Sequence, residues 1–488
     1  MTYLNAVVED SPDTPGTSPE KRQAFVTEGR RMVEFLVKKN VALERCSRFW
    51  PDYYDELPGG CKTSRTVTAA PFDKAELGEW APKLREGFLS VPVRLDEGYQ
   101  LPFARNSWKI KLLIAQIGMR IAAGKLTGKQ WVTAGAALQG RMLQRALEAG
   151  IEIRLETGVS QLIVEDGKVV GVVTEKDGQP WRVGSRLGVL VNAGGFSKNQ
   201  AMRDKYMPGT NAEWSMTNEC DMGDMHVEME RLGAVLAQMD EMVGFQITLP
   251  PGWKEMFIPP NGQFVTARPH AILVDRTGVR FMNEGGSYEA YCETMLKRNK
   301  VAPAVPSWAI MDSQFIDKYT IGAAGNGKVP RSYIDSGYLK RADTIEGLAA
   351  QIGVDPATIK ATVDRFNGFV AKGRDEDFRR GDREYDKYLG DPFRKGTLAA
   401  LGSIDKGPFY AAEIVPGDVS TYGGVITDVN SRVLRADGSA IEGLYATGVS
   451  TASPMGRVYP GAGASVGPSM AFGWIAAKHA AGLSNQAV

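Results

Sequence analysis

Residues 159–195 read VSQLIVEDGKVVGVVTEKDGQPWRVGSRLGVLVNAGG. Two Asp-Gly pairs, Asp166-Gly167 and Asp177-Gly178, cut this run into short segments rich in β-branched residues. Asp-Gly suits the two left-handed positions of a tight hairpin turn, so the spacing predicts an antiparallel meander. The last segment, GVLVNAGG, is apolar throughout and predicts a strand buried on both faces. It runs into Ala193, Gly194 and Gly195, where missing side chains let backbone come close to a ligand or to another segment. A strand-to-Gly-Gly junction alone is a weak pointer to a cofactor, because an ordinary turn needs the same residues.

Upstream of the meander, AGAALQGRMLQRALEAG predicts a helix ended by Gly150. WKIKLLIAQIGMRIAAGKL predicts a cationic helix with Ile110, Leu113, Ile114, Ile117 and Ile121 on one face. That face reads first as core-directed; the alternative is a surface flap guiding a greasy substrate. Nearer the N-terminus, SPEKRQAFVTEGRRMVEFLVKK opens on a Ser-Pro-Glu start signal and carries Phe25, Met32, Phe35 and Leu36 at helical spacing. The aromatic loop RFWPDYYDELPGGC follows. Downstream, residues 249–420 turn Pro- and aromatic-rich, with helices at TIEGLAAQIG and PATIKATVDRFNGFVAKG. Strand–turn texture returns from 421, with a further hairpin signal at Asp437-Gly438. The expected fold class is mixed α/β. One domain is formed by both chain ends, 1–248 and 421–488, and an α+β domain over 249–420 interrupts it.

Composition narrows the function. The 488 residues carry 58 basic and 57 acidic side chains, a net charge of +1, which gives no electrostatic footprint for nucleic acid. Cys46, Cys61, Cys220 and Cys292 lie far apart with no CxxC pair, arguing against a zinc site or disulfide framework. The three histidines, His226, His270 and His479, are not spaced as metal ligands and read as solvated or structural. No 18-residue apolar run predicts a membrane span, and the acidic, Pro-rich opening is unlike a signal peptide. Cytoplasmic location is the expectation.

Two Gly-rich stretches invite a phosphate reading. GAAGNGKV, residues 322–329, follows a Walker A loop until Val329 stands where a metal-binding Ser or Thr belongs, so it reads as a chance loop. In PMGRVYPGAGASVGPS, residues 454–469, the glycines are spaced GxGxxxG, with no βαβ context and no later ribose-binding acid. It is a poor pyrophosphate cradle. Its turn into a helix still offers free N–H groups and a positive dipole end, suited to an anionic reduced flavin, or serves only as a helix cap. With histidines scarce, tyrosines beside such loops become the candidate chemistry: Tyr53 and Tyr54, Tyr288, and Tyr459. A phenol of pKa near ~10 donates a hydrogen bond at neutral pH and acts as a base only where phenolate is stabilised.

NAGGF, TNECDMGDMHVEMERLGA, DRTGVRFMNEGGSY, PFYAAEIVPGDVSTYGGVITD, RVLRADGSAIEGLYATG and GRVYPGAGASVGPSMAFG occur in that order. Together with WPDYYDELPGG they resemble the 3-ketosteroid Δ1-dehydrogenases of the fumarate-reductase-like flavoproteins. The resemblance covers nearly the whole chain, and YPGAGA is its most specific part. It implies FAD as cofactor, a glutathione-reductase-like FAD domain, and removal of the C1 and C2 hydrogens from ring A of a 3-ketosteroid. By that resemblance Tyr459 and the Gly463 N–H hold the C3 ketone, Tyr288 takes the C2 proton, and Tyr53 (or its neighbour Tyr54) supports Tyr288. Ala193, Gly194, Gly195, Thr447, Gly448, Ser465 and Val466 would line the flavin, and the Val159 backbone would meet the adenine. An electron acceptor for reduced flavin is implied as partner.

The family's N-terminal strand–GxGxxG–helix has no counterpart in this sequence. The resemblance therefore leads one to expect a truncated reading frame, a separate polypeptide supplying that segment, or a non-catalytic relative. A second flavoenzyme reading keeps another ring-keto or enoate substrate open. A fumarate-type site would need cations such as Arg268 and His270 to grip carboxylates.

Overall fold

The computed structural model describes residues 1–46, 50–63, 65–85, 87, 90–104, 107–255 and 261–484; Arg48 and Phe49 of the aromatic loop lie outside them. The meander is present as Val159–Glu165, Lys168–Lys176 and Gln179–Gly184, paired antiparallel. Both turns use the left-handed region, with φ of 49° at Asp166, 78° at Gly167, 52° at Asp177 and 73° at Gly178. The strand that follows, Val189–Val191, pairs parallel with Ala440–Ala446, which in turn pairs antiparallel with Arg432–Leu434 across the Asp437-Gly438 turn. It is not buried on both faces: Val191 is buried but Leu190 is 44% exposed. Among the described residues the strand lies at the edge of its sheet with one neighbour, and the face that carries Leu190 is the less covered one.

Residues 271–414 build a separate four-stranded antiparallel sheet in the order Ala271–Val274, Ser307–Asp312, Phe409–Ile414, Lys340–Ala342. Its strands alternate sides with period two. Ile272, Val274 and Ile310 pack against the helices Ile345–Ile352 and Pro356–Lys372. Leu273, Met311 and Ile414 pack into a second cluster with Tyr291, Phe315 and Tyr333. The sheet is thus covered on both faces, which explains its nearly continuous apolar sequence. Its helices obey their end signals: Thr344 and Asp355 cap the starts, and Gly353 and Gly373 close the ends at φ of 69° and 72°.

Two joints position the site. Met242–Gly244 pairs with Asp418–Thr421 where the chain enters and leaves the second sheet. Beside that ladder the fully buried Arg203 and Asp418 form an ion pair at 2.7 Å, with Ser215 donating to the same carboxylate. The other joint brings the chain ends together. The helix Pro19–Lys38, capped by Ser18, packs on Val466–Ala480, with the Trp474 indole N–H donating to Glu28 at 2.9 Å. Phe35 and Trp474 sit 4.9 Å apart.

The helix Trp108–Leu126 buries Ile110 and Ile117, but Ile114 is 42% exposed rather than on the buried face. At 100° per residue Ile114 lies about 40° from Ile110 and about 60° from Ile117, at the margin of the buried face where cover runs out. Residues 322–329 hold no phosphate-loop geometry. Thr320–Ile321 and Ala324–Gly325 form a small hairpin, and the next helix, Arg331–Asp335, begins after Pro330.

Candidate active site

Tyr53, Tyr288 and Tyr459 come from three distant segments and meet in one buried cluster. Their ring centroids lie 5.5 Å apart for Tyr53–Tyr288, 5.1 Å for Tyr288–Tyr459 and 5.8 Å for Tyr53–Tyr459. Tyr288 is the first residue of the helix Tyr288–Asn299, placed by the turn that ends in Ser287. Tyr53 is held by backbone: its N–H donates to the Pro460 carbonyl at 3.1 Å. The Tyr3 hydroxyl donates to that same carbonyl and accepts from the Tyr54 N–H. Asp52 closes the loop by accepting the Cys61 N–H and pairing with Arg65 at 2.7 Å. Of the adjacent tyrosines, Tyr53 faces the cluster. Tyr54 packs at the cluster's edge with its ring under Arg383.

Sequence reading missed the layer behind Tyr53. Tyr385 stacks on it at 4.2 Å, Tyr388 follows at 5.8 Å from Tyr385, and Tyr99 stacks on Tyr388 at 4.4 Å. The available signal was the i, i+3 tyrosine pair in EYDKYL, which puts both rings on one side of the helix Glu384–Leu389.

Burial sets the electrostatics. It pushes the phenols of Tyr53, Tyr288 and Tyr459 upward, keeping them protonated at neutral pH. For Tyr459 that rise is opposed by hydrogen bonds from the Tyr288 hydroxyl and the Ser465 N–H. For Tyr53 it is opposed by hydrogen bonds with Tyr288 and Tyr385. Tyr288 therefore lies between the rings of two protonated phenols, Tyr53 and Tyr459. Behind them burial raises the Glu241 carboxyl to about 7, helped by the charge of Glu293 and opposed by Arg457.

The loop after Tyr459 turns at Gly463, whose φ is 89° and whose missing side chain faces open space. Among the described residues its N–H has no acceptor, while its carbonyl takes the Gly467 N–H at 2.8 Å. The helix Val466–Ala480 starts here with no side-chain cap from Ser465. Next to it lies a narrow crevice. Thr447, Gly448, Ser465, Ser469, Thr421 and Tyr422 are among the residues that line it. The Thr421 Oγ1 and the Tyr422 hydroxyl are buried with no partner. The chemistry of this lining, mostly apolar with a few orphaned polar groups and an uncapped helix start, suits the ring end of a flavin.

The remaining candidates are placed as follows. Ala193 donates its N–H to Ser450 Oγ at 3.0 Å, and Ser450 donates to the Gly194 carbonyl. A Cβ on Gly194 would fall 2.3 Å from Asp221, and one on Gly195 would fall 2.1 Å from Thr421 Oγ1, so close protein packing alone requires both glycines. Val159 begins its strand at the surface, 37% exposed, apart from the crevice. Arg268 lies over the rings of Phe103, Phe264 and Tyr319, and His270 meets the Ser403 carbonyl. Among the described residues neither bonds to Tyr53, Tyr288 or Tyr459. His226 is buried against the Gly423 carbonyl, and His479 meets the Tyr445 hydroxyl. No group of three or more metal-type ligands occurs, and no helix is long and apolar enough to cross a membrane, among the described residues.

A family model for the FAD binding domain matches residues 12–466. The 3-oxosteroid 1-dehydrogenase of Mycolicibacterium smegmatis is 36% identical over 97% of this chain and 84% of its own length. The 4-oxocyclohex-2-ene-1-carboxylate 5-dehydrogenase of Sinomonas cyclohexanicum is 30% identical over 99% and 83%. The crystal structure of 3-ketosteroid Δ1-dehydrogenase from Sterolibacterium denitrificans, in complex with 1,4-androstadiene-3,17-dione, superposes with a TM-score of 0.88. It is 31% identical, covering 99% of this chain and 88% of that one. The chain belongs to the FAD-dependent 3-oxosteroid 1-dehydrogenase family, and its cofactor is FAD.

Proposed function

We propose that the protein dehydrogenates a 3-ketosteroid between C1 and C2, with Tyr459, Gly463, Tyr288 and Tyr53 as its working residues. The arrangement of Tyr288 and Tyr459 beside an open Gly463 amide carries this reading. A ketone seated there accepts from the neutral Tyr459 phenol and the Gly463 N–H. Both donors are fixed beforehand, so they stabilise the charge that grows on oxygen when C2 is deprotonated. Tyr288 takes the C2 proton in its phenolate form, re-forming its own O–H bond, and the Tyr53 hydroxyl would donate a hydrogen bond to that phenolate oxygen. Tyr385, stacked on Tyr53, holds that ring in place. Bound FAD supplies the acceptor for the C1 hydride, so C1=C2 forms as one hydride and one proton leave.

Thr447, Gly448, Ser465 and the start of the Val466–Ala480 helix would hold the flavin ring, with Ala193–Gly195 at the adjoining strand end. The Val159 backbone is the proposed adenine contact, and residues 249–420 form the substrate-covering domain. The pyrophosphate grip has no GxGxxG turn in this sequence to supply it, so a further segment or polypeptide is the proposed source. A separate electron acceptor must reoxidise the flavin.

The test is anaerobic mixing of the FAD-loaded protein with a 3-ketosteroid saturated at C1–C2. Bleaching of the flavin band and recovery of the 1,2-dehydro product are expected. The named activity of the Sinomonas relative favours a second reading, a ring-keto carboxylate substrate. Preferential reduction by 4-oxocyclohexanecarboxylate would decide for it, and reoxidation of reduced flavin by fumarate would decide for a reductase.

A further inference from the structure

Glu289 stands next to Tyr288 at the start of the helix Tyr288–Asn299 and is 2% exposed. Its Oε1 is buried with no hydrogen-bond partner, and the cation that acts on it, Lys297, is engaged by Glu293 at 2.5 Å. The Tyr422 hydroxyl is a second orphan, on a residue 4% exposed that clusters with Tyr53 and Tyr459. Buried polar groups left this way cost stability rather than supplying it. Packing does not account for them, and a buried acid beside reacting phenols points to proton traffic.

The backbone brings a second carboxyl to the same place. Glu289 and Cys292 lie at i and i+3, on one buried side of the helix. That side rests on the strand Met242–Gly244, where a Cβ on Gly244 would fall 2.4 Å from the Cys292 Cβ and 3.3 Å from the Glu289 carbonyl oxygen. Glu241 immediately precedes this strand, and its carbonyl accepts the Tyr422 N–H at 3.0 Å. Tyr422 thus belongs to both groups, by its ring to the tyrosines and by its backbone to the carboxyls. The Glu241 carboxylate meets Arg457 at 3.2 Å. Arg457 also pairs with Asp240, whose side chain is 60% exposed, so the groups run from the buried phenols to the surface.

We propose that Glu289 and Glu241 form the proton exit of the active site, passing the C2 proton from the tyrosines to solvent. This role rests on the dehydrogenase reading given above. After each turnover Tyr288 carries a proton that burial holds firmly, and it takes another only when that one has left. The Tyr422 hydroxyl accepts a proton from the cluster as its own O–H bond breaks toward Glu289. Glu289 in turn releases its proton to the Glu241 carboxylate, and Glu241 releases one to water beside Arg457 and Asp240. One proton enters at Tyr288 and one leaves to solvent, while both electrons stay with the hydride that FAD accepts. Burial and mutual repulsion raise both carboxyls, Glu241 to about 7. That narrows their gap from a phenol, which an ordinary carboxylate would leave too wide for ready transfer. Glu293, Lys297 and Cys292 face the pair from the helix, and Arg457 from the surface side. Tyr54, Tyr422 and Tyr459 face it from the cluster.

Dye-coupled turnover of a 3-ketosteroid by the FAD-loaded full chain, followed from pH 5 to 9 and expressed per bound flavin, tests the exit. Glu289→Gln keeps the shape of the side chain but carries no exchangeable acid proton, and should slow turnover by about tenfold or more. Glu289→Asp keeps the acid and should fall between, so it gives the same readout independently. Wild-type turnover should rise as pH passes through about 7, where Glu241 becomes an open acceptor, and Glu241→Gln should lose that rise. The double variant E289Q/E241Q should be no slower than E289Q alone, because the two groups act in series. Merely structural roles would instead give losses that multiply, with the pH rise kept. The exit is overturned if E289Q matches the wild type, if the two losses multiply, or if E241Q keeps the rise. A wild type whose flavin no 3-ketosteroid reduces removes the dehydrogenase reading itself, whereas a working wild type with unaffected variants removes only the exit.

Discussion

Tyr53 and Tyr459, from opposite ends of the chain, stack 5.8 Å apart, and the Tyr53 amide donates to the carbonyl of Pro460, the residue next to Tyr459. The backbone bond fixes the two loops before any ligand arrives. The rings then form a wall against which Tyr288 packs, 5.5 Å from Tyr53 and 5.1 Å from Tyr459. Preorganisation of this kind is what lets a neutral phenol act as a fixed hydrogen-bond donor in a dry site.

Tyr459→Phe removes the ketone's side-chain donor while keeping the ring stack. Flavin reduction by a 3-ketosteroid should slow by about 10²-fold or more, the usual cost of one oxyanion donor. Rapid-mixing kinetics checks this, and an unchanged reduction rate would remove Tyr459 from the mechanism.

Tyr288→Phe should separate the two halves of the reaction. Proton exchange at C2 with deuterated solvent, seen by NMR in the FAD-loaded protein, should disappear together with turnover. Tyr54→Phe should leave both nearly intact, because Tyr54 faces Arg383 instead.

Gly195→Ala places a methyl carbon where Thr421 Oγ1 stands 2.1 Å away. The clash should cost about 1–3 kcal/mol, the range for overpacking a close-packed site. It also disturbs the wall of the proposed flavin crevice. Lower thermal stability and a lower flavin-to-protein ratio are the expected readouts.

Arg203→Met leaves Asp418 charged and buried without its partner at 2.7 Å. Loss of one member of a buried pair costs about 3–5 kcal/mol, measurable by denaturant unfolding. Replacing both residues with apolar ones of similar size should recover much of that loss.

Glu241, its carboxyl raised by burial to about 7, binds its proton more tightly folded than unfolded. Its contribution to stability is therefore complete at pH below the ordinary carboxylate value and is lost as pH rises through about 7. Glu241→Gln should flatten that decline, worth about 3 kcal/mol at most. Melting temperatures across pH 4–8 check the sign; a wild type that gains stability over this interval would contradict it.

Local chemistry made much of the fold legible. Asp-Gly pairs forced the meander's turns, Thr344, Asp355, Gly353 and Gly373 marked helix ends, and a change of texture marked residues 249–420, within which the four-stranded sheet lies. The Leu190 strand misled because an apolar run says that burial is favourable, not that a neighbour exists on each side. The i, i+3 spacing of Tyr385 and Tyr388 was legible, but their stack behind Tyr53 was not, because stacking depends on where a helix docks. The two glycines after the strand were legible as close approaches, yet only the structure showed that Asp221 and Thr421 are what approach.

By itself the sequence determined which residue types could do chemistry here: few histidines, and several tyrosines beside Gly-rich turns. Those properties are local, since composition, spacing and turn preference need no partner. Tertiary structure decided which tyrosines meet and which carboxyls are buried beside them. Both depend on contacts between segments far apart in the chain, and no local preference encodes them.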